Sequence, residues 1–211
     1  MQTNYIAFKT DIIRSRYISK REDVQDFFLN IANQVNEKFA NSLEAGFIVT
    51  HGDEAQCLIK SACAVSVIDI IEFLHESMHP VQLRFGIGFG TLSTKIQKMA
   101  IGMDGEAWQN AKDAIDRAHV SHQPAAFSGF NPNIQYPLES LTNLVLFLSS
   151  RWSKEQKEAI KYIREGHTQT TIAKLVGVST AAISKRLVKA GWHEYSHGIE
   201  AIKKLLQMII P

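Results

Sequence analysis

The chain has 211 residues, 45% of them hydrophobic and 21% charged. That balance excludes collagen-like and wholly disordered chains and suits one large domain or a domain and a half. No stretch reaches the ~18 uninterrupted apolar residues of a membrane-spanning helix, and the segment through Asp11 has no apolar core of secretory length, so no membrane partner and a cytoplasmic location are expected.

Two cysteines, Cys57 and Cys63, are too few for a disulfide framework, which fits a reducing compartment. The net charge of +2 hides a split. Residues 1–150 carry 12 basic against 16 acidic residues, whereas residues 151–211 carry 11 against 5. Such asymmetry points the basic part toward a polyanion, and leaves the acidic part a metal as its route to phosphate.

In chain order, Asn4 to Asp11 is a short β-rich run ending in an acid, a strand. Arg14 to Glu22 is a charged connector. From Asp23 to Phe39 the apolar positions Val24, Phe27, Phe28, Ile31, Ala32, Val35 and Phe39 recur at three- and four-residue steps, which predicts an amphipathic helix. Two apolar runs around Gly52-Asp53 then predict a β-hairpin with acids at its tip. Val65 to His75 is an apolar helix that stops before Pro80. Val81 to Leu92 alternates large apolar residues with Gly86, Gly88 and Gly90, a strand whose stripped face requires a neighbouring helix or a ligand close to the backbone. Glu106 to His119 is a helix with Ala107, Trp108, Ala111, Ala114, Ile115 and Ala118 inward. A short strand near Ala125 follows, then a turn-rich Asn131-Pro132-Asn133 and an apolar helix over 138–150. The order describes an α+β sandwich with one sheet face covered, and the boundary to the second part is set near Arg151.

The second part is helical throughout. Ser153 and Gln156 make a capping-box pattern, and Gly166 ends the helix it opens. From Gln169 to Leu187 the pattern predicts two short helices. Ala173 lets them approach, Gly177 takes the turn, Val178 plugs the shared core and Ser179 caps the second helix, whose inner face carries Ile183 and Leu187. Thr180, Ala181, Ser184 and Lys185 remain outward, with Lys189 one turn on and Gln169 opening the first helix. Small polar and basic side chains in that place suit base edges and phosphates in a major groove. An ordinary helical hairpin in a core or a dimer interface is the bland alternative. Trp192 to Pro211 closes the chain as an amphipathic helix.

In the first part Asp11 ends a strand and Asp53 with Glu54 sits at a hairpin tip. If those strands are neighbours the acids converge, and Mg²⁺ would relieve their repulsion while binding substrate phosphates. A solvated turn is the alternative for the Gly-Asp pair. His75 and His79 are four apart but lack a third ligand, His119 and His122 end a helix, and Cys57 fits a small buried thiol.

The first 120 residues resemble the nucleotidyl cyclase fold of class III adenylyl and guanylyl cyclases and GGDEF-type enzymes. The matching pieces are Asp11-Ile12, Gly52-Asp53-Glu54, the stretch from Arg84 to Gly90, and Gly105 opening a helix. The chain as a whole resembles the SatD family, through Asp-Ile-x-x-Ser-Arg at 11–16, Gly-Asp-Glu-x-Gln at 52–56, the Arg-Phe-Gly-Ile-Gly stretch, Ile-Gly-x-Asp-Gly at 101–105, and a C-terminal helix-turn-helix. The resemblance implies a ferredoxin-like or nucleotidyl cyclase-like sandwich at 1–150 and an all-α helix-turn-helix domain at 151–211. It implies metal ligands at Asp11 and Asp53, to which the hairpin-tip reading adds Glu54 as an expected ligand, and nucleotide contacts at Gly52, Arg84 and Gly105. Where cyclases place an Asn and a transition-state Arg this chain has Gln109 and Asp113, and where they select the base with a Lys it has Val49. Asp113 puts negative charge where a triphosphate needs positive charge.

The expectation is a homodimeric, ligand-responsive transcription regulator. It binds DNA through Gln169, Thr180, Ala181, Ser184, Lys185 and Lys189, and a nucleotide-type ligand with Mg²⁺ in its first part. The rival is a divergent cyclase or phosphoryl-transfer enzyme using Asp11 and Asp53, with a helical tail that assembles a dimer; a structural adaptor is a third reading.

Overall fold

The computed structural model describes residues 3–17 and 20–209, without the side chain of Arg16. Ile18 and Ser19 of the expected connector, and the last two residues of the expected final helix, lie outside the described residues. The chain is α+β, with a mixed five-stranded sheet and, among the described residues, eight α-helices. It forms two compact units, Met1–Asn143 with Ile202–Pro211, and Leu144–Ala201. The expected cut near Arg151 falls within the second unit.

In the first unit β1 (Tyr5–Ile12) is followed by a 3-10 turn at Ser15–Tyr17, then α1 (Arg21–Lys38), β2 (Leu43–Val49), β3 (Glu54–Lys60), α2 (Ser66–Ser77) and β4 (Leu83–Gly90). A crossover through α3 (Glu106–Ser121) leads to β5 (Ala125–Ser128). The sheet order is β2-β3-β1-β4-β5, with β4 and β5 parallel and the other pairs antiparallel.

Side chains alternate across each strand, so the register sorts them into two faces. One face holds Phe8, Phe47 and Phe85, packed at ring separations of 6.3 and 5.9 Å, with Phe28 of α1 at 6.5 Å from Phe47. The other face is stripped. Gly86 and Gly88 of β4 lie beside Lys9 and Ala7 of β1, and α3 rests on their backbone. A Cβ at Gly86 would stand 2.5 Å from Ile115 Cβ, and one at Gly88 would collide with the backbone of Ala107 and Ala111. The object that needed close approach is therefore a helix, which matches one of the two expected reasons for the glycines. The outer edge of β2 is also covered. Asn36 of α1 exchanges both bonds with the Phe47 backbone, at 2.7 and 2.8 Å, and Gly46 pairs with residues 98 and 100.

The expected turn at 131–133 is instead the start of α4 (Pro132–Ser150). The Asn131 side chain accepts the amide of Asn133 at 2.9 Å, and Pro132 stands where a missing N–H costs nothing. Capping chemistry and turn chemistry share these residues, and packing decides between them.

In the second unit α5 (Lys154–Arg164), α6 (Gln169–Val176), α7 (Thr180–Ala190) and the start of α8 (Trp192–Gln207) follow in close succession. Ser153 and Gln156 complete the capping box, while Thr168 and Ser179 cap α6 and α7. Gly177 and Gly191 end α6 and α7 in the left-handed conformation, at φ +69° and +64°. The Trp152 indole donates to the Ala190 carbonyl at 2.8 Å and meets the Tyr195 ring at 4.7 Å. Arg164 lies over Trp152, Trp192 and Tyr195, between 5.4 and 5.9 Å from each ring.

Candidate functional site

The end of β1 gathers the acids that sequence placed 42 and 43 residues apart. Asp11 stands opposite Glu54 on β3 and opposite Arg84 on β4. The Ile12 amide donates to the Asp53 carbonyl at 2.9 Å, which ties the hairpin tip to the strand end. Asp53 in turn accepts from the Ser15 hydroxyl at 2.5 Å. All three expected acids thus lie at one end of the sheet.

Their electrostatics differ from the expectation. Arg84 is only 7% exposed, and its Nη1 donates to both oxygens of Asp11, at 3.0 and 2.9 Å. The same nitrogen lies 3.3 Å from His119 Nδ1 on α3. Burial pushes the Asp11 carboxyl above its usual 3.8, and Arg84, foremost of the groups beside it, pulls it back down. Arg84 Nε is buried without a hydrogen-bond partner. A partly buried pair of this kind gains little over an apolar pair, but removing one partner strands the other.

The guanidinium therefore already supplies the counter-charge that Mg²⁺ was expected to bring. Among the described residues no three His, Cys, Asp or Glu side chains are placed to hold a metal ion. Glu54 is exposed, with His51 Nδ1 3.9 Å away. A donor set that includes a guanidinium closed on both oxygens of Asp11 does not fit a dication.

Two of the expected nucleotide contacts, Gly52 and Gly105, have roles within the chain. Gly52 turns the hairpin at φ +75°, and a Cβ there would strike the Gln25 side chain. Gly105 opens α3 at φ +142°, with the backbone of residues 91–93 crossing at 2.6–2.7 Å from where its Cβ would be. Trp108 is 8% exposed and packs with Ala7, Ala45, Leu58 and Ala100, its indole nitrogen buried without a partner. Gln109 and Asp113 are exposed on α3. Cys57 is buried and its thiol is pushed up by desolvation. His119, expected merely to end a helix, is the residue that sequence reasoning missed. Nothing in its local pattern signals that α3 sets it beside Arg84.

On α7, Ile183, Leu187 and Ala190 are buried while Thr180, Ala181, Lys185 and Lys189 are exposed and Ser184 is half-buried. Gln169 is exposed at the start of α6. From Thr168 to Ala190 there are four basic residues and no acidic one. The six expected contact residues are thus on the surface of these two helices, and α7 offers a basic face with small neighbours.

No curated protein matches the chain. Solved structures that align with it include a bacterial light-regulated adenylyl cyclase, at 13% identity and TM-score 0.41, covering 56% of this chain and 72% of the other. The monomeric guanylyl cyclase domain of the RhoGC fusion protein from the aquatic fungus Blastocladiella emersonii aligns at 15% identity and TM-score 0.40, covering 55% and 75%. The catalytic core of a rhodopsin-guanylyl cyclase with converted specificity, in complex with ATPαS, aligns at 15% and 0.40, covering 55% and 72%. The model of one protein family matches residues 5–206, nearly the whole chain, and on that match the protein belongs to the SatD family.

Proposed function

We propose that this chain is a DNA-binding transcription regulator with a ligand-sensing sheet unit. The β-α-β-β-α-β run and the order β2-β3-β1-β4 correspond to the ferredoxin-like split βαβ arrangement. The α6–turn–α7 pair is read as a helix-turn-helix with α7 as the recognition helix.

The observation that carries this reading is the exposed face of α7, where Lys185 and Lys189 stand in a segment without acids. Phosphates draw such a face to a duplex, and the amides at the capped N-terminus of α7 add donors. A homodimer would present two such helices to paired half-sites.

The sheet unit is the sensing half. Its ligand, a nucleotide-type anion, competes with Asp11 for the Arg84 guanidinium. Mg²⁺ has no part in this reading, because Arg84 neutralises Asp11.

The test is fluorescence anisotropy of the full chain with labelled genomic duplexes between about 50 and 200 mM salt. Salt-sensitive binding is expected, and Lys185→Ala should weaken it on every sequence and lower the salt slope by about one. Absence of salt-sensitive binding ends the reading. Incubation with each nucleoside triphosphate and Mg²⁺ or Mn²⁺ should yield no product. Turnover abolished by Asp53→Asn would replace regulation by phosphoryl transfer.

A further inference from the structure

We infer that α7 reads thymine methyl groups in the major groove, through Ala181 and Val188 set on either side of Lys185. This rests on the DNA-binding reading and adds what that reading leaves open, the chemistry of the base contact.

Ala181, Ser184, Lys185 and Val188 follow one another at i, i+3, i+4 and i+7, so they share one stripe of α7, opposite the buried Ile183, Leu187 and Ala190. Val188 is 77% exposed, more than Leu144, Phe147 or Leu175 elsewhere in the helical unit. Valine is a poorer helix former than the straight-chain residues that usually cover a helix surface. Its presence here adds nothing to helix stability, and burial does not account for it.

Val188 also borders two hollows. One, of about 530 Å³, is lined by Arg151, Gln156 and Lys189, and the other, of about 270 Å³, by Gln169, Ser184 and His193; Glu194 borders both. At Val188 the exposed side of α7 is therefore a ridge between two depressions, which carry Arg151, Lys189 and polar side chains as well as the carboxylate of Glu194. A duplex complements that shape, since a helix enters a groove about 12 Å wide while a sugar-phosphate strand passes on each side.

Within the groove the base edges offer hydrogen-bond donors and acceptors, and one apolar mark, the C5-methyl of thymine. An alanine methyl and a valine isopropyl group on this stripe match that mark and nothing else on the base edges. Lys185 between them is long enough to reach a flanking phosphate, the sequence-independent contact that the salt slope reports.

The test starts from duplexes selected by the full chain out of a randomised pool. Each thymine in the selected site is replaced by deoxyuridine, which removes only the methyl group. At one or two positions affinity should fall about threefold to fivefold, the effect of one buried methyl. Val188→Ala should bind the parent duplex more weakly by a similar factor and become indifferent to the replacement at its own position. If the chain binds duplexes but every deoxyuridine site is bound like its parent, thymine reading is overturned and DNA binding stands. If no duplex is selected at all, both fall.

Discussion

The two units handle charge in opposite ways. In the sheet unit Arg84 is buried, its Nη1 is closed on Asp11, and α3 sets His119 beside it. In the helical unit Lys185 and Lys189 stand on the surface, in a stretch without acids. A guanidinium that is desolvated must be matched inside the fold, so changing it is felt as stability. An ammonium left in water contributes little to the fold and is free to act on a partner. Placement, more than residue type, decides whether changing a cation is felt in the stability of the fold.

That contrast can be broken at several points. The largest effect is expected at Trp152, which joins α7 and α8 through Ala190 and Tyr195. Trp152→Ala should destabilise the helical unit by about 3–5 kcal/mol in denaturant unfolding. If it leaves unfolding unchanged, the aromatic centre is not what holds these helices. Gly88→Val should cost about 3 kcal/mol, because the added side chain drives α3 off β4. A variant as stable as the parent would show that α3 can move.

Arg84→Met comes next, at about 2–3 kcal/mol, since it leaves Asp11 half-buried and unpaired. Lys185→Ala, by contrast, should shift the unfolding midpoint within error, and equal losses at both positions would erase the distinction between the units. Ser179→Ala removes the cap of α7 and should cost about 1 kcal/mol.

The smallest effect is a pH dependence. The Asp11 carboxyl is held above its usual 3.8 in the folded chain, so the folded state binds that proton more tightly than the unfolded state. Its contribution is fully present below the usual value and is lost as pH rises through the raised one. Asp11→Asn should therefore gain on the parent as pH rises through that window. A gain that instead appears as pH falls would show that Arg84 outweighs burial.

Much of this architecture was legible in the residues. Glycines alternating with Phe and Ile between 84 and 90 announced a face open to close approach, and the Gly177–Ser179 pair announced a turn between two helices. The acids at Asp11 and Asp53–Glu54 were legible as residues at strand ends, and their placement at one end of the sheet followed once those strands proved to be neighbours. The opening of α4 was not legible, because Asn-Pro-Asn serves a turn and a helix start equally well. Nor was the partnership of Arg84, since a charged residue in a strand carries no local sign of what will lie opposite it.

By itself, then, the sequence determined the succession of strands and helices, the caps and turns that separate most of them, and the gathering of basic residues toward the C-terminus. These depend on side chains within a few positions of one another, where propensity, periodicity and capping act. Only the tertiary structure decided that Arg84 neutralises Asp11, that α3 brings His119 beside them, and that Val188 crowns a ridge between two hollows. Strand register and helix packing join residues dozens of positions apart, and burial is a property of the finished fold that no local pattern encodes.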